Sequence, residues 1–208
     1  MDYLTLAIAT GRTSKQAMKL LETAGVNFPD YHNKSRKLVM YDETETVKLI
    51  FVKTADLTTY VEKGAADIGV IGKDTIMEVQ PDVYELVDLN LGKCQVVVAG
   101  FPTQKIQNGA PLTVATKYPL ITKAFFDKKG IRVETIKLNG SIELAPLIGL
   151  SEVIVDIVET GTTLKENGLV ILDKIVDISA RMIVNKASFA TKTNQIEQFI
   201  SKVKAVLE

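Results

Sequence analysis

The chain has 208 residues, 46% of them hydrophobic, with 25 basic residues against 25 acidic ones. At roughly 100–200 residues per domain, that length allows one or two domains and a core that needs no staples. The zero net charge lacks the basic excess of a nucleic-acid-binding domain, and one cysteine (Cys94) with one histidine (His32) excludes disulfide scaffolds, Cys/His zinc sites and iron–sulfur clusters within one chain.

No apolar run approaches the ~20 residues of a membrane span. The N-terminus lacks the basic segment of a signal peptide, since Gly11-Arg12 ends the short apolar run that starts at Tyr3. A cytoplasmic protein, with no membrane or nucleic-acid partner, is expected. Only Arg12, Arg36, Arg132 and Arg181 are arginines, so planar bidentate anion clamps are scarce.

Short β-type runs alternate with helical-period segments along the chain. Leu4–Ala9 reads as a strand. Ser14 reads as the N-cap of a helix whose apolar positions (Ala17, Met18, Leu20, Leu21, Ala24) end at Gly25. Residues 37–41 and 47–52 read as strands joined by a turn at 42–45. A helix over 54–63 stops at Gly64, a strand follows over 67–71, and a short helix over 73–79 closes before Pro81. Strands are expected at 83–89 and 94–99, then a loop over 101–111. Residues 112–115, 119–129 and 133–137 form a strand–helix–strand unit. A helix is predicted over 141–149, a strongly apolar strand over 153–158, and a helix start over 160–167 after a tight turn. Strands at 169–176 and 182–185 follow. The chain closes on a helix with Ile196, Phe199, Ile200, Val203 and Leu207 on one face. Alternation of this kind implies parallel sheets and an α/β class, with two sheets and small ligands at strand C-terminal ends.

The stretch Val153-Ile154-Val155-Asp156-Ile157-Val158-Glu159-Thr160-Gly161-Thr162-Thr163-Leu164 carries the chemistry. An apolar strand holds the loop in place. Backbone N–H groups at a helix start form an anion site, and Gly161 lets the backbone approach a phosphate. Thr160, Thr162 and Thr163 add hydroxyl donors. Asp156 and Glu159 suit ribose hydroxyls as acceptors, or a Mg²⁺ bridging to phosphate. The combination describes a phosphorylated ribose. The bland reading of the same residues is an αβ turn with caps. Gly69-Val70-Ile71-Gly72-Lys73-Asp74 has neither the spacing nor the hydroxyl of a P-loop.

The loop resembles the 5-phosphoribosyl-1-pyrophosphate (PRPP) loop of phosphoribosyltransferases. Ala66–Asp74, Leu91–Cys94, Ala115–Pro119 and Lys137–Pro146 precede it in the chain. In their order and spacing these segments resemble the ATP phosphoribosyltransferase family, closest to its short form. That resemblance implies a two-lobed fold like the type II periplasmic binding proteins, with a cleft between lobes. Lobe one is expected over 1–90 plus 177–208, and lobe two over 91–176. It implies the first step of histidine biosynthesis: ATP and PRPP joined in the inter-lobe cleft to N1-(5-phosphoribosyl)-ATP and pyrophosphate, with Mg²⁺. It also implies a separate regulatory subunit resembling histidyl-tRNA synthetase. The short form has no C-terminal regulatory domain, and this chain is expected to match it.

Residue by residue, PRPP binding carries over to Asp156, Glu159, Thr160, Gly161, Thr162 and Thr163. ATP or anion binding carries over to Gly11, Arg12, Lys53, Asp67, Lys93, Asn139, Gly140, Ser141 and Glu143. Three departures stand out. The family's Pro-Lys-Gly-Arg is Ala9-Thr10-Gly11-Arg12 here, its corner arginine is Lys53, and the proline of the following segment is missing from Ala55–Tyr60. Lys53 keeps the charge without the bidentate fork. Lys53 and Lys93 are equally readable as solvated lysines, Asp67 as a turn or cap residue, and Asn139-Gly140-Ser141 as a plain capped helix rather than an anion nest. Cys94 is expected in the core and His32 on the surface. No nucleophile is evident, so catalysis by positioning and charge stabilisation is implied. A non-catalytic solute-binding module on the same scaffold is the alternative.

Overall fold

The computed structural model describes residues 3–32, 37–106 and 109–207. In chain order the first elements are β1 (Leu4–Ala9), α1 (Arg12–Thr23), β2 (Val39–Tyr41), β3 (Val47–Val52), α2 (Thr54–Glu62), β4 (Ile68–Gly72), α3 (Lys73–Val79) and β5 (Tyr84–Asp88). Next come β6 (Cys94–Gly100), β7 (Leu112–Thr116), α4 (Pro119–Lys128), β8 (Val133–Lys137), α5 (Leu144–Leu147), β9 (Val153–Val158), α6 (Thr162–Glu166) and β10 (Val170–Ile178). The chain ends with β11 (Ala180–Val184), α7 (Lys186–Thr191) and α8 (Thr193–Lys204). Residues 1–92 and 179–208 form one compact unit, and residues 93–178 a second.

The first unit is built on a six-stranded sheet of order β2-β3-β1-β4-β11-β5. Its central strand β1 is buried on both faces, so its pattern alternates in size rather than polarity. Leu4, Leu6 and Ile8 pack with Met18 and Leu21 of α1 and with Ile196, Phe199 and Val203 of α8. Ala7 and Ala9, on the other face, pack with Leu57 and Val61 of α2. Small residues on that face let α2 come close. At Gly69 of β4 an added Cβ would lie 2.7 Å from both Leu57 and Val61 side-chain carbons.

The β2–β3 hairpin is closed by one side chain. Asp42 is buried, and its Oδ1 accepts the N–H groups of Thr46 (2.8 Å) and Val47 (2.7 Å) while Oδ2 accepts the Thr44 hydroxyl. Burial pushes the Asp42 carboxyl up. The bonds from the Thr44 hydroxyl and from the N–H groups of Val47, Thr46 and Thr44 outweigh it and hold the pKa below its ordinary 3.8.

The second unit carries a five-stranded sheet of order β10-β6-β9-β7-β8. One face buries Val97, Ala99, Ala115 and Ile154 against Ile142 and Ala145 around α5 and Leu164 of α6. β10 is an edge strand of nine residues, paired antiparallel to β6 and interrupted by two register shifts, at 171/173 and 174/176.

Both sheets are mixed, against the parallel sheets that strand–helix alternation implies. β1 runs parallel to β3 and β4, and β7 to β8 and β9, across helical crossovers. β11 is antiparallel to β4 and β5, and β6 to β9 and β10. These antiparallel strands are those where the chain crosses between the sheets: residues 89–93 lead from β5 to β6, and Ser179 leads from β10 to β11.

Helix boundaries also differ in three places. α1 starts at Arg12 with Gly11 as N-cap, and Ser14 lies inside it, its hydroxyl donating back to the Gly11 carbonyl at 2.6 Å. The helix expected over 141–149 shrinks to the four residues of α5, because Ser141 is left-handed (φ 47°) and Pro146 lacks an N–H. α7 was not foreseen. Its signal is Asn185, whose side chain accepts the Ser188 N–H at 2.8 Å as an N-cap. Cys94 is half-buried at the start of β6 rather than in the core, and His32 is exposed. Part of the loop expected over 101–111 lies outside the described residues.

Gly69→Ala overpacks the α2–β4 contact and is expected to lower stability by about 1–3 kcal/mol, measured by urea unfolding. Because the folded Asp42 pKa is depressed, its stabilising effect is full above the ordinary carboxyl range and fades as pH falls through 3.8 and below. Asp42→Asn is therefore expected to lower the melting temperature at pH 7, with the gap to the parent narrowing below about pH 4.

Candidate active site

In the second unit, β9 delivers the acid-and-hydroxyl segment to one sheet edge. Val153, Ile154 and Val155 are fully buried, Asp156 is half-buried near the strand's end, and Glu159, Thr160, Thr162 and Thr163 are exposed. Gly161 makes the turn. Its φ of 77° is left-handed, while an added Cβ would meet nothing closer than 3.7 Å, so conformation rather than space requires glycine. The Thr160 and Thr162 hydroxyls lie 3.0 Å apart, and the Lys165 N–H donates to the Gly161 carbonyl at 3.1 Å. The N–H groups ahead of that first helical bond have no acceptor inside α6. At five residues, α6 carries little macrodipole, so donors and hydroxyls rather than a helix field favour an anion here. Thr160, Gly161, Thr162, Lys165 and Glu166 line a depression of about 590 Å³.

Strand register brings further residues to the same edge. Thr116 of β7 sits opposite both Lys137 of β8 and Val155 of β9. Gln95 of β6 sits opposite Val158. Exposed Lys93 therefore precedes β6 beside the end of β9, and Asn139, Gly140, Ser141 and Glu143 follow β8 at that edge. A buried bond stiffens this edge: the Thr116 hydroxyl donates to the Val155 carbonyl at 2.7 Å and accepts the Tyr118 N–H at 2.8 Å. Asn139-Gly140-Ser141 is not a helix N-terminus. Ser141 turns through positive φ, the next N–H groups close i→i+3 turns, and α5 starts only at Leu144 with half-buried Glu143 as N-cap. An anion nest at a helix start does not form there.

In the first unit, Ala9 of β1 is registered with Val52 of β3, and the Thr10 N–H donates to the Val52 carbonyl at 2.8 Å. Gly11 and exposed Lys53 thus share the C-terminal edge of the parallel strands, each as the N-cap of the helix that follows. Arg12 opens α1, and its side chain lies outside the described residues. Gly72-Lys73 forms no loop, because β4 passes directly into α3. The Lys73 ammonium is held by Glu85 at 2.5 Å, and Arg181 pairs with Asp88 at 2.9 Å.

Asp67 belongs elsewhere. It precedes β4, at the edge opposite Gly11 and Lys53, and is 5% exposed. Its carboxylate accepts the Thr5 N–H (2.7 Å), the Ser188 hydroxyl (2.6 Å) and the Lys192 ammonium (3.1 Å). Its carbonyl accepts the Asn185 N–H. It is a structural tie and has no place among anion-binding residues. A depression of about 580 Å³ beside α1, lined by Lys15, Met18, Phe28 and Glu43 among others, reaches the turn before β3 and so also runs away from the Lys53 edge.

Lys165 was absent from the residues singled out in the sequence. Its signal was available: it stands four residues after Gly161, one helical turn on.

This architecture is of the two-lobed α/β class of type II periplasmic binding proteins. The periplasmic aliphatic sulphonate binding protein of Escherichia coli matches it in fold alone, with a TM-score of 0.60 at 12% identity, covering 100% of this chain and 73% of the other. The family model for ATP phosphoribosyltransferase (HisG) matches residues 53–205. An ATP phosphoribosyltransferase of Oceanobacillus iheyensis is 51% identical over 207 residues, covering 100% of both chains. That of Caldanaerobacter subterraneus is 49% identical, covering 100% of this chain and 99% of the other. A solved ATP phosphoribosyl transferase (HisG:HisZ) complex from Thermotoga maritima contains a chain with a TM-score of 0.84 at 36% identity, with 98% of each covered. The chain belongs to the ATP phosphoribosyltransferase family.

Asp67→Asn removes the charge that Lys192 faces and one of the acceptors. It is expected to cost about 2–3 kcal/mol of stability in urea unfolding while leaving nucleotide affinity unchanged in calorimetric titration of the folded protein.

Proposed function

We propose that this protein catalyses the first step of histidine biosynthesis, joining ATP and PRPP to N1-(5-phosphoribosyl)-ATP and pyrophosphate. Adenine N1 forms a bond to ribose C1 as the bond from C1 to the pyrophosphate oxygen breaks. C1 gains oxocarbenium character, so catalysis rests on aligning two substrates and stabilising the departing charge. The observation that carries this reading is the β9–α6 loop, where ribose-type acceptors and phosphate-type donors follow each other at one sheet edge.

In this reading Asp156 and Glu159 accept the ribose hydroxyls. Thr160, Thr162 and Thr163, with the N–H groups that open α6, hold a phosphate. Lys93 borders the same edge and supplies positive charge. Gly11, Arg12 and Lys53 serve anionic groups at the strand ends of the first unit. Asn139, Gly140 and Ser141 line the β8 turn as backbone and hydroxyl donors, with Glu143 beside them.

Among the described residues no group of three His, Cys, Asp or Glu side chains could hold a metal ion by itself. Mg²⁺ usually takes one or two carboxylates and completes its shell with phosphates and water. Asp156 and Glu159 are the carboxylates that would hold it, and when bound it would offset the charge of the pyrophosphate. The partner is a regulatory subunit resembling histidyl-tRNA synthetase, a reading supported by the HisG:HisZ composition of the Thermotoga maritima complex. An ATP-consuming biosynthetic step sets the protein in the cytoplasm, and no described helix is long and apolar enough to cross a membrane.

Calorimetric titration of the full chain with PRPP and Mg²⁺ tests the reading. Asp156→Asn with Glu159→Gln is expected to weaken PRPP binding at least about tenfold and ATP binding by far less. Equal loss of both ligands would remove these acids from the ribose site.

A further inference from the structure

We propose that Asn139 is a site of spontaneous deamidation, and that its conversion to aspartate or isoaspartate sets a carboxylate at the edge that receives the anionic substrate. The chemistry stands on the chain alone, and its consequence for binding rests on the function proposed above. The sequence holds three Asn-Gly pairs: Asn108-Gly109, Asn139-Gly140 and Asn167-Gly168. Glycine after asparagine favours the reaction, because no Cβ screens its nitrogen and its backbone turns freely. Asn108 lies outside the described residues, and the other two pairs differ in what holds them.

Asn167 is fastened. Its side-chain amide donates to the Thr163 carbonyl at 2.8 Å, and the Gly168 N–H donates to the Lys165 carbonyl at 3.1 Å. The nitrogen that would attack and the amide it would attack are both engaged, at the C-terminal end of α6. Asn139 has neither restraint. It and Gly140 are exposed, just past the end of β8. Neither the Asn139 side chain nor the Gly140 N–H makes a hydrogen bond among the described residues. Before them the Leu138 N–H donates to the Thr116 carbonyl at 3.0 Å, and after them the Ser141 carbonyl accepts the Leu144 N–H at 3.1 Å. The pair spans two fixed points without being held itself.

The reaction needs water and no other reagent. The Gly140 nitrogen attacks the side-chain carbonyl carbon of Asn139 and closes a succinimide ring. The bond from that carbon to the amide nitrogen breaks, and ammonia leaves with the proton that Gly140 gives up. Water then opens the ring at either carbonyl. One opening gives aspartate, and the other gives isoaspartate, whose main chain runs through the former side chain. Either product adds a negative charge at the edge where β7, β8 and β9 end, the edge that carries the PRPP loop. That charge repels a polyanionic substrate. Isoaspartate also lengthens the backbone by a methylene and carries Gly140 and Ser141 out of place.

The experiment ages the full purified chain at mildly alkaline pH and maps it with trypsin, which places Asn108, Asn139 and Asn167 in separate peptides. The Asn139 peptide is expected to convert well ahead of the Asn167 peptide and to contain isoaspartate, which direct hydrolysis of the amide does not give. Gly140→Ala is expected to suppress that conversion, and its added Cβ meets nothing within 4 Å, so the loop can accept it. In calorimetric titration with PRPP and Mg²⁺, the aged chain and fresh Asn139→Asp are both expected to bind about tenfold or more weaker than the fresh parent. Gly140→Ala aged alongside should keep the affinity it starts with. Equal conversion of Asn139 and Asn167, or conversion without isoaspartate, overturns the site. Full PRPP affinity in the converted chain and in Asn139→Asp overturns its effect on binding. If the fresh parent binds no PRPP while Asn139 still yields isoaspartate, the proposed function fails and the deamidation site stands.

Discussion

The first unit depends on the bonds made by Asp67. The chain leaves this unit after residue 92 and comes back at residue 179, so its closing strand and helices have to be tied to a sheet already built. Asp67 does this from one point. Its carboxylate holds the Thr5 N–H near the start of β1, the Ser188 hydroxyl on α7 and the Lys192 ammonium at the head of α8. Its carbonyl takes the N–H of Asn185, which in turn caps α7 and donates to the Val61 carbonyl at 2.8 Å. A carboxylate this buried is tolerable only because both of its oxygens find donors and one donor is charged. The apolar layer of Ile196, Phe199 and Val203 against Leu6 and Ile8 then forms on a frame whose ends are fixed.

In the second unit the equivalent constraint is strand direction. Parallel β7, β8 and β9 end together, and antiparallel β6 starts where they end. Residues far apart in the chain, Lys93, Asn139 and Glu159, therefore meet at one edge. The Thr116 hydroxyl, bonded across to β9, keeps the turn into α4 aligned with the turn into α6. Loops that carry chemistry are exposed, and their precision comes from buried strands beneath them.

Elements whose signals are local were legible in the residues. β1, β3, β8, β9 and α3 begin and end where apolar runs and Gly or Pro punctuation place them. The acid-and-hydroxyl loop was legible for the same reason, because all its parts are contiguous. What was not legible depends on partners distant in sequence. Asp67 looks like any turn aspartate until Ser188 and Lys192 fold onto it. The antiparallel pairing of β6 and β10 follows from where the chain crosses between units. Ser141 has no sequence mark of its left-handed backbone, and that one dihedral turns an expected helix start into a tight turn. Ser14 was misplaced because a serine near a helix start bonds backwards to Gly11 as readily as it caps.

The two bulges in β10 bear on how the protein behaves in a crowded cell. An edge strand of nine residues with Val170 and Ile171 exposed would otherwise offer a straight row of unpaired N–H and C=O groups to any passing chain. Each bulge interrupts the spacing of that row and increases its twist. A flat strand from another molecule can match a few residues and then loses register, so the ladder does not propagate. The irregularity in this strand thus protects a catalytic scaffold from growing into an aggregate along its own sheet.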